Sequence, residues 1–207
     1  VGQRQLVRTE PGDGAKGGVE DTLWRREVAM RLVRFGGAMS LDGYIAGPNG
    51  EYDWILMDPE IDFAAMQAQF DTFLIGRKTF EAMAKMGSAV KSTAGIQNIV
   101  LSRTLQASDY PHVTVKSDAA GVVAELRAQP GKDIAIFGGG DLFRSLLAVG
   151  LVDRLEVSLI PVLLGGGIPL LPPPAGRAML KLRTQRVYEK TGTIGLEYDI
   201  VRSAARS

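Results

Sequence analysis

Apolar positions along the chain alternate between short runs typical of buried strands and longer runs with helical spacing. The strand-like runs cover residues 31–39, 72–75, 96–101, 113–115, 133–137, 154–160, 181–189 and 193–201. Helical spacing covers residues 59–70, 77–86, 118–128 and 141–149. Strands that alternate with helices predict an α/β fold with a mostly parallel central sheet and helices on both faces. The last two strands have no helix between them, so they predict an antiparallel edge.

The first 29 residues differ from the rest of the chain because they are rich in glycine and charge. Residues 11–18 cannot bury enough apolar surface to offset the entropy of ordering them. We therefore expect residues 1–29 to be a polar, disordered extension and residues 30–203 to form one domain. No apolar run approaches the roughly 18 residues of a membrane span, and no signal-peptide pattern is present. These features predict a soluble, cytoplasmic protein.

Composition excludes several kinds of site. Lysine and arginine number 24 and aspartate and glutamate 23, so the net charge of +1 argues against a nucleic-acid-binding surface. The chain has no cysteine and one histidine, His112, which excludes disulfides, thiolate zinc, a cysteine nucleophile and paired-histidine metal sites. We expect no metal site, and His112 is best explained as an exposed loop residue.

Polar and glycine residues mark the point where one short buried strand runs directly into a helix. There Gly76 is followed by Arg77, Lys78 and Thr79. Free backbone N–H groups of a first helical turn, a hydroxyl group and two cations together suit an anionic ligand. A tight turn with solvated cations explains these residues equally well.

A second junction of the same kind carries Gly138, Gly139 and Gly140 before Asp141. Three residues without a Cβ would let the backbone approach a pyrophosphate closely, and a turn alone seldom needs three, so ligand contact is favoured. Asp141 would repel phosphate and is expected to face away and serve the helix N-terminus. At a third strand end, Ser102 and Arg103 are weak evidence for a ligand by themselves. Their position would nevertheless let them close around the same ligand.

Acidic residues cluster in the region after the first strand. Asp42 precedes Gly43 and is explained either by a turn or as a polar anchor in a substrate cleft. For Asp58 and Asp62 a role at the start of a helix is favoured, with Asp58 as the N-cap before Pro59 and the acids after it complementing the helix dipole. Glu60 remains open between the two interpretations.

Four segments in this order resemble the dihydrofolate reductase-like family, including the pyrimidine reductase domain of bacterial riboflavin synthesis that forms the C-terminal part of bifunctional deaminase-reductases. The segments are 38–46, 76–81, 100–103 and 136–140. The resemblance covers nearly all of residues 31–201 and implies this fold, with NADPH as the hydride donor. Carried over by position, Arg77, Ser102 and Arg103 would meet the 2′-phosphate. The pyrophosphate would be held by Lys78, Thr79 and the amides of Gly138, Gly139 and Gly140, next to Gly76 of the same motif.

The resemblance also places a substrate, a nitrogen heterocycle, between the 40–54 loop and the helix predicted from Pro59. Met39 would floor the site, with Ser40 and Trp54 as further substrate contacts. Glu60 takes the position of the acid that holds the pterin in folate reductases, and Asp42 belongs to the substrate site of pyrimidine reductases. The proton that accompanies hydride would come from Asp42, Glu60 or water.

We therefore expect an NADPH-dependent reductase like 5-amino-6-(5-phosphoribosylamino)uracil reductase. A dihydrofolate or other pterin reductase is the alternative enzyme, and a nucleotide-binding module without turnover is the alternative of another class. The expected partner is a small heterocyclic substrate, with no nucleic acid and no membrane. Because this family often forms dimers through sheet edges, the resemblance also allows a homodimer.

Overall fold

A computed structural model describes residues 30–85 and 95–201, except 107, 109, 111 and 112. Its elements in chain order are β1 Val33–Ser40, β2 Tyr44–Ala46, α1 Phe63–Gln67, β3 Phe70–Gly76, α2 Arg77–Lys85, β4 Gln97–Leu101, β5 Thr114–Lys116, α3 Ala119–Arg127, β6 Asp133–Phe137, α4 Gly140–Ala148, β7 Arg154–Ile160, β8 Ile168–Pro169, β9 Met179–Tyr188 and β10 Thr193–Val201. The extension 1–29, residues 202–203, the predicted end of α2 at Met86 and Gly87, and His112 lie outside the described residues.

Eight strands form the main sheet in the order β5-β4-β3-β6-β1-β7-β10-β9. The six strands from β5 to β7 are parallel to one another, while β10 runs antiparallel to both β7 and β9. The predicted α/β fold with a mostly parallel sheet and an antiparallel C-terminal strand pair is therefore confirmed. Strands β2 and β8 form a separate antiparallel pair.

Helices cover both faces of the parallel region because neighbouring strand residues point to opposite faces. On one face Leu74 and Ile136 pack with buried side chains of α3 and α4, including Val123 and Phe143. On the other face Ile75 packs with Val100 of β4 and with Phe80 of α2. The two hydrophobic clusters fix the strand-to-helix crossovers at one end of the sheet.

Buried ion pairs hold the amino ends of the parallel strands together. Arg34 of β1 donates two hydrogen bonds to Glu156 of β7, at 2.5 and 2.8 Å, and one to Asp133 of β6 at 3.1 Å. Burial works to lower the pKa of Arg34, but the hydrogen bonds and charges of these carboxylates outweigh it and raise the pKa above its usual value. Arg31 pairs in the same way with Asp71 at the start of β3. Charge at this end is therefore compensated within the fold.

The first helix is shorter than the sequence predicts. Asp62, expected in the first turn of a longer helix, is instead the N-cap of α1 and accepts a hydrogen bond from the Ala65 N–H at 2.9 Å. The prediction that Asp58 caps a helix starting at Pro59 is wrong. The buried Asp58 carboxylate accepts hydrogen bonds from the Glu60 N–H and the Thr191 hydroxyl, both at 2.9 Å, and so ties this loop to the β9–β10 hairpin.

The segment 40–54, expected to be a loop, contains the short strand β2. Its partner β8 lies more than 120 residues further along the chain, and local pattern carries no signal of such a pairing. None of the described helices has the length and apolar character that crossing a membrane requires.

Candidate functional site

The sheet opens between its two central strands at their carboxyl ends. β1 pairs with β6 only over Val33 to Phe35, although it continues beside β7 as far as Ser40. Beyond Phe35, the exposed glycines Gly36 and Gly37 border a cleft of about 1050 Å³. Ligands in parallel α/β sheets bind in such crevices, outside the carboxyl ends of the strands.

The strand-to-helix junctions after β3 and β6 touch one another at this cleft. A Cβ atom built on Gly138 would lie 2.5 Å from Cγ2 of Thr79, and one built on Gly76 would lie 3.6 Å from Cβ of Leu142. The junction after β4 borders the same space. All nine residues predicted to bind the cofactor line the cleft: Gly76, Arg77, Lys78, Thr79, Ser102, Arg103, Gly138, Gly139 and Gly140.

Steric constraints within the fold explain why each position of the triplet is glycine, without any ligand. Gly138 and Gly139 have φ angles of +76° and +87°, which side chains with a Cβ rarely adopt. Gly140 has no such angle, but its Cβ would lie 2.6 Å from the Pro169 carbonyl oxygen. The sequence argument that a turn seldom needs three glycines is therefore wrong here, and the ligand interpretation depends on the geometry around them.

The start of α4 offers unbonded donors at this place. No side chain caps α4, whereas Asp62 and Asp118 cap α1 and α3. The first amides to bond inside α4 are those of Leu142 and Phe143, both to the Gly139 carbonyl at 3.1 Å. The amides before them therefore remain for another acceptor, and the helix dipole favours an anion there.

Charged side chains lie at the rim of the cleft. Lys78 Nζ is 3.0 Å from Asp141 Oδ2, and both side chains are exposed. The prediction that Asp141 faces away from the cleft is therefore wrong. Lys78 from the neighbouring junction holds it at the mouth of the cleft. Arg77 pairs with Glu81 of its own helix at 3.0 Å, and Arg103 is exposed. The Ser102 hydroxyl oxygen accepts the Leu105 N–H at 2.9 Å, which orders its turn.

Asp42 is held by hydrogen bonds and lies outside the residues that line the cleft. Its carboxylate accepts the Ser40 hydroxyl at 2.7 Å and the N–H groups of Leu164 and Gly165 at 3.1 and 2.8 Å. These bonds, the one from Ser40 foremost, lower the pKa of Asp42 below its ordinary value. The ionised carboxylate is a poor proton donor at neutral pH, and it joins the turn after β1 to the segment that leads into β8.

The structure does not bring the other predicted substrate-side residues to the cleft. Glu60 lies 3.4 Å from Arg186 and 3.5 Å from Lys190 of the β9–β10 hairpin. The Trp54 indole donates to the Glu51 carbonyl at 3.1 Å, and Met39 packs against the hydrophobic core. Of the five residues predicted for substrate binding or catalysis (Met39, Ser40, Asp42, Trp54 and Glu60), none lines it.

Much of the remaining lining comes from residues that the sequence analysis did not single out, although some of them lie in the 40–54 loop expected beside the substrate. It includes Ile45 and Ala46 of β2, Tyr52, Ile55 and Ile168 of β8. Ile45 and Ala46 lie in segment 38–46, one of the four that resemble the family. Only the pairing of β2 with β8 places them at the cleft. No group of three metal-ligating side chains is found among the residues that the structure describes.

The sheet order, its antiparallel edge and the crevice between β1 and β6 define a dihydrofolate reductase-like fold. Residues 31–194 match the RibD C-terminal domain, and the chain belongs to that family. It is 33% identical over 188 residues to the uncharacterized protein YyaP of Bacillus subtilis (strain 168), covering 86% of this chain and 97% of YyaP.

Solved structures share this fold. A Shewanella sp. PV-4 protein described as a riboflavin biosynthesis protein has a TM-score of 0.70 and 24% identity, covering 83% of this chain and 99% of that one. The Thermotoga maritima deaminase/5-amino-6-(5-phosphoribosylamino)uracil reductase has a TM-score of 0.62 and 16% identity, covering 83% of this chain and 57% of that one. The Enterococcus faecalis dihydrofolate reductase complexed with NADP(H) has a TM-score of 0.60 and 19% identity, covering 83% of this chain and 97% of that one.

Replacing Gly140 with alanine tests the packing of the glycine triplet. Helix propensity alone favours Gly140→Ala by up to about 1 kcal/mol. Because the new Cβ would lie 2.6 Å from a backbone oxygen, we expect a net loss of about 1–3 kcal/mol in the free energy of unfolding, measured with urea. Gly166→Ala, where nothing lies within 4 Å, is the control and should change little. Equal stability of the two variants would contradict this packing.

The Asp42 hydrogen bonds predict a particular pH dependence of stability. The folded pKa lies below the ordinary value of 3.8, so the stabilisation is present above that value and is lost as pH falls through the folded pKa. The difference in melting temperature between the wild type and Asp42→Asn should therefore be largest near neutral pH. It should shrink toward zero in acid, below the folded pKa. The exposed Asp53→Asn variant serves as the control. A difference that stays constant with pH would refute the interpretation.

Proposed function

We propose that this chain is an NADPH-dependent reductase of the riboflavin-pathway type, which transfers hydride to the ribosyl C=N unit of a small heterocyclic substrate. One observation carries the proposal: the junctions after β3 and β6 are in contact, so two helix N-termini and three basic side chains face the same cleft. An adenine dinucleotide with three phosphates needs this combination of oriented amides and cations.

The residues present fit such a cofactor. Gly138 and Gly139 leave the backbone without side chains beside Thr79, and the uncapped start of α4 follows them. These groups would hold the diphosphate by N–H and hydroxyl donation. Arg77 and Arg103 lie at the same end and would bind a 2′-phosphate, which favours NADPH over NADH. The fold shared with the NADP(H)-bound Enterococcus dihydrofolate reductase supports this assignment.

The chain's own groups would admit and orient the cofactor. Lys78 has to exchange its partner Asp141 for a phosphate oxygen, which is feasible because the pair is exposed and weak. Gly37 leaves open space at the edge of β1, where an added Cβ would meet nothing within 4 Å. When bound there, NADPH supplies the hydride, and the protein supplies position and a surrounding with little water.

A proton must accompany the hydride when C=N becomes CH–NH. Of the three sources that the sequence left open, water is the one that we propose. Asp42 is ionised and bonded to Ser40, Leu164 and Gly165, and Glu60 is paired with Arg186 and Lys190, so neither lies ready to protonate a substrate in the cleft.

The Thermotoga relative named 5-amino-6-(5-phosphoribosylamino)uracil reductase supports a pyrimidine or related heterocycle as the substrate. The pterin alternative is less favoured, because the acid expected to hold the pterin, Glu60, lies outside the lining residues. NADPH oxidation by a candidate substrate separates an enzyme from a binding module.

The homodimer stays a prediction. The edge strand that it would use is β9, whose Met179, Leu182 and Val187 are exposed.

Arg77→Ala tests the cofactor assignment. If Arg77 binds the 2′-phosphate, the dissociation constant for NADPH should rise about tenfold or more, as expected for a charge-assisted hydrogen bond, while that for NADH changes little. Titration calorimetry measures both constants. Lys85→Ala, at the far end of the same helix, controls for the loss of one positive charge. Similar losses for NADPH and NADH would show that Arg77 does not recognise the 2′-phosphate.

A further inference from the structure

The charged residues that line the cleft all stand on one side of it. They are Arg77 and Lys78 after β3, Arg103 after β4 and Asp141 after β6. In sheet order these junctions occupy the β4–β3–β6 side, and β1 lies beyond β6. If the cofactor phosphates are bound here, as the proposed function requires, all three cations are engaged by them.

The side of the cleft toward β1 is lined without charge, over the residues that the structure describes. Its side chains are apolar or aromatic, and glycines complete it: Ile45, Ala46, Gly50, Tyr52, Ile55, Gly167 and Ile168. Pro169 and Pro172 also line the cleft, but they lie against Gly140 at the start of α4. Ile168 and Tyr52 are 41% and 58% exposed, so a ligand in the cleft has apolar surface to cover. Gly36, Gly37 and Ala38 of β1 contribute no polar side chain either.

Several acidic groups near this wall in sequence are bonded elsewhere, and the exposed Asp53 is not among the residues that line the cleft. Asp42 accepts hydrogen bonds from Ser40, Leu164 and Gly165. Glu51 accepts two from Asn49, from its N–H at 2.8 Å and its side-chain amide at 2.7 Å.

Two further acids of this loop are bonded to the β9–β10 hairpin. Asp58 accepts the Thr191 hydroxyl, and Glu60 pairs with Arg186 and Lys190. These four acids, and the basic groups that pair with them, are therefore engaged outside the apolar wall.

We propose that the substrate of this chain is an uncharged, planar heterocycle that carries no phosphate group. A phosphate placed against this wall would lose its water without gaining a cation, because the cations of the cleft and the free amides of α4 are assigned to the cofactor. An uncharged ring gains instead from burial against Ile45, Ile55 and Ile168 and from stacking on Tyr52. This inference rests on the proposed function, because it assigns the charged side of the cleft to the cofactor.

A matched pair of ligands tests the inference on the full chain saturated with NADP⁺. The pair is 5-amino-6-(5-phosphoribosylamino)uracil and the same compound without its phosphate, and the readout is the dissociation constant from calorimetry. We expect the unphosphorylated compound to bind at least about tenfold more tightly. Equal or tighter binding of the phosphorylated compound would overturn the inference and leave the proposed function standing. Failure of NADP⁺ itself to bind, measured first, would instead refute the proposed function.

A variant that gains binding avoids the ambiguity of a misfolded protein. Ile168→Lys adds a cation to the apolar wall and should tighten binding of the phosphorylated compound about tenfold without improving the unphosphorylated one. Leu163→Lys, at a 70% exposed position outside the cleft-lining residues, adds the same charge and should change neither. If the phosphorylated compound responds equally to both variants, Ile168 does not face the bound substrate and the inference fails.

Discussion

The contact between Thr79 and Gly138 is the constraint on which the site depends. Two parallel strands, β3 and β6, lie side by side, and each turns into a helix at the same end of the sheet. The turns approach so closely that a Cβ at Gly138 would lie 2.5 Å from the Thr79 methyl group. Because no side chain separates them, the first turns of α2 and α4 present their donors to one space. A diphosphate held there would contact both elements at once.

Charge is distributed so that this end of the sheet can accept an anion. At the amino ends of the strands, Arg31 and Arg34 are buried and paired with carboxylates, so these cations are satisfied within the fold. At the carboxyl ends, Lys78 and Arg77 form exposed pairs that water already weakens. The buried network therefore stabilises the sheet, and the exposed pairs remain exchangeable. β1 contributes to both ends, because Arg34 belongs to the buried network while Gly36 and Gly37 border the cleft.

Sequence reasoning predicted the features of the molecule that local pattern determines. Strand and helix periodicity indicated the mostly parallel sheet, and glycines and cations at strand ends marked the junctions that line the cleft. The substrate side could not be predicted in this way, because it is built by long-range contacts. Ile168 reaches the cleft through the pairing of β8 with β2, and Asp42 bonds to residues more than 120 positions away. An isolated acid such as Asp58 gives no sign of whether it caps a helix or joins a distant hairpin.

Backbone amide chemical shifts during an NADPH titration test the central claim most directly. We predict that the amides of Arg77 to Thr79 and of Gly138 to Asp141 shift together, with one dissociation constant. Amides at the opposite end of the sheet, such as those of Asp133 and Arg154, should stay unchanged. Shifts confined to one junction, or centred on the β9–β10 hairpin, would contradict the claim that the two crossovers jointly hold the cofactor.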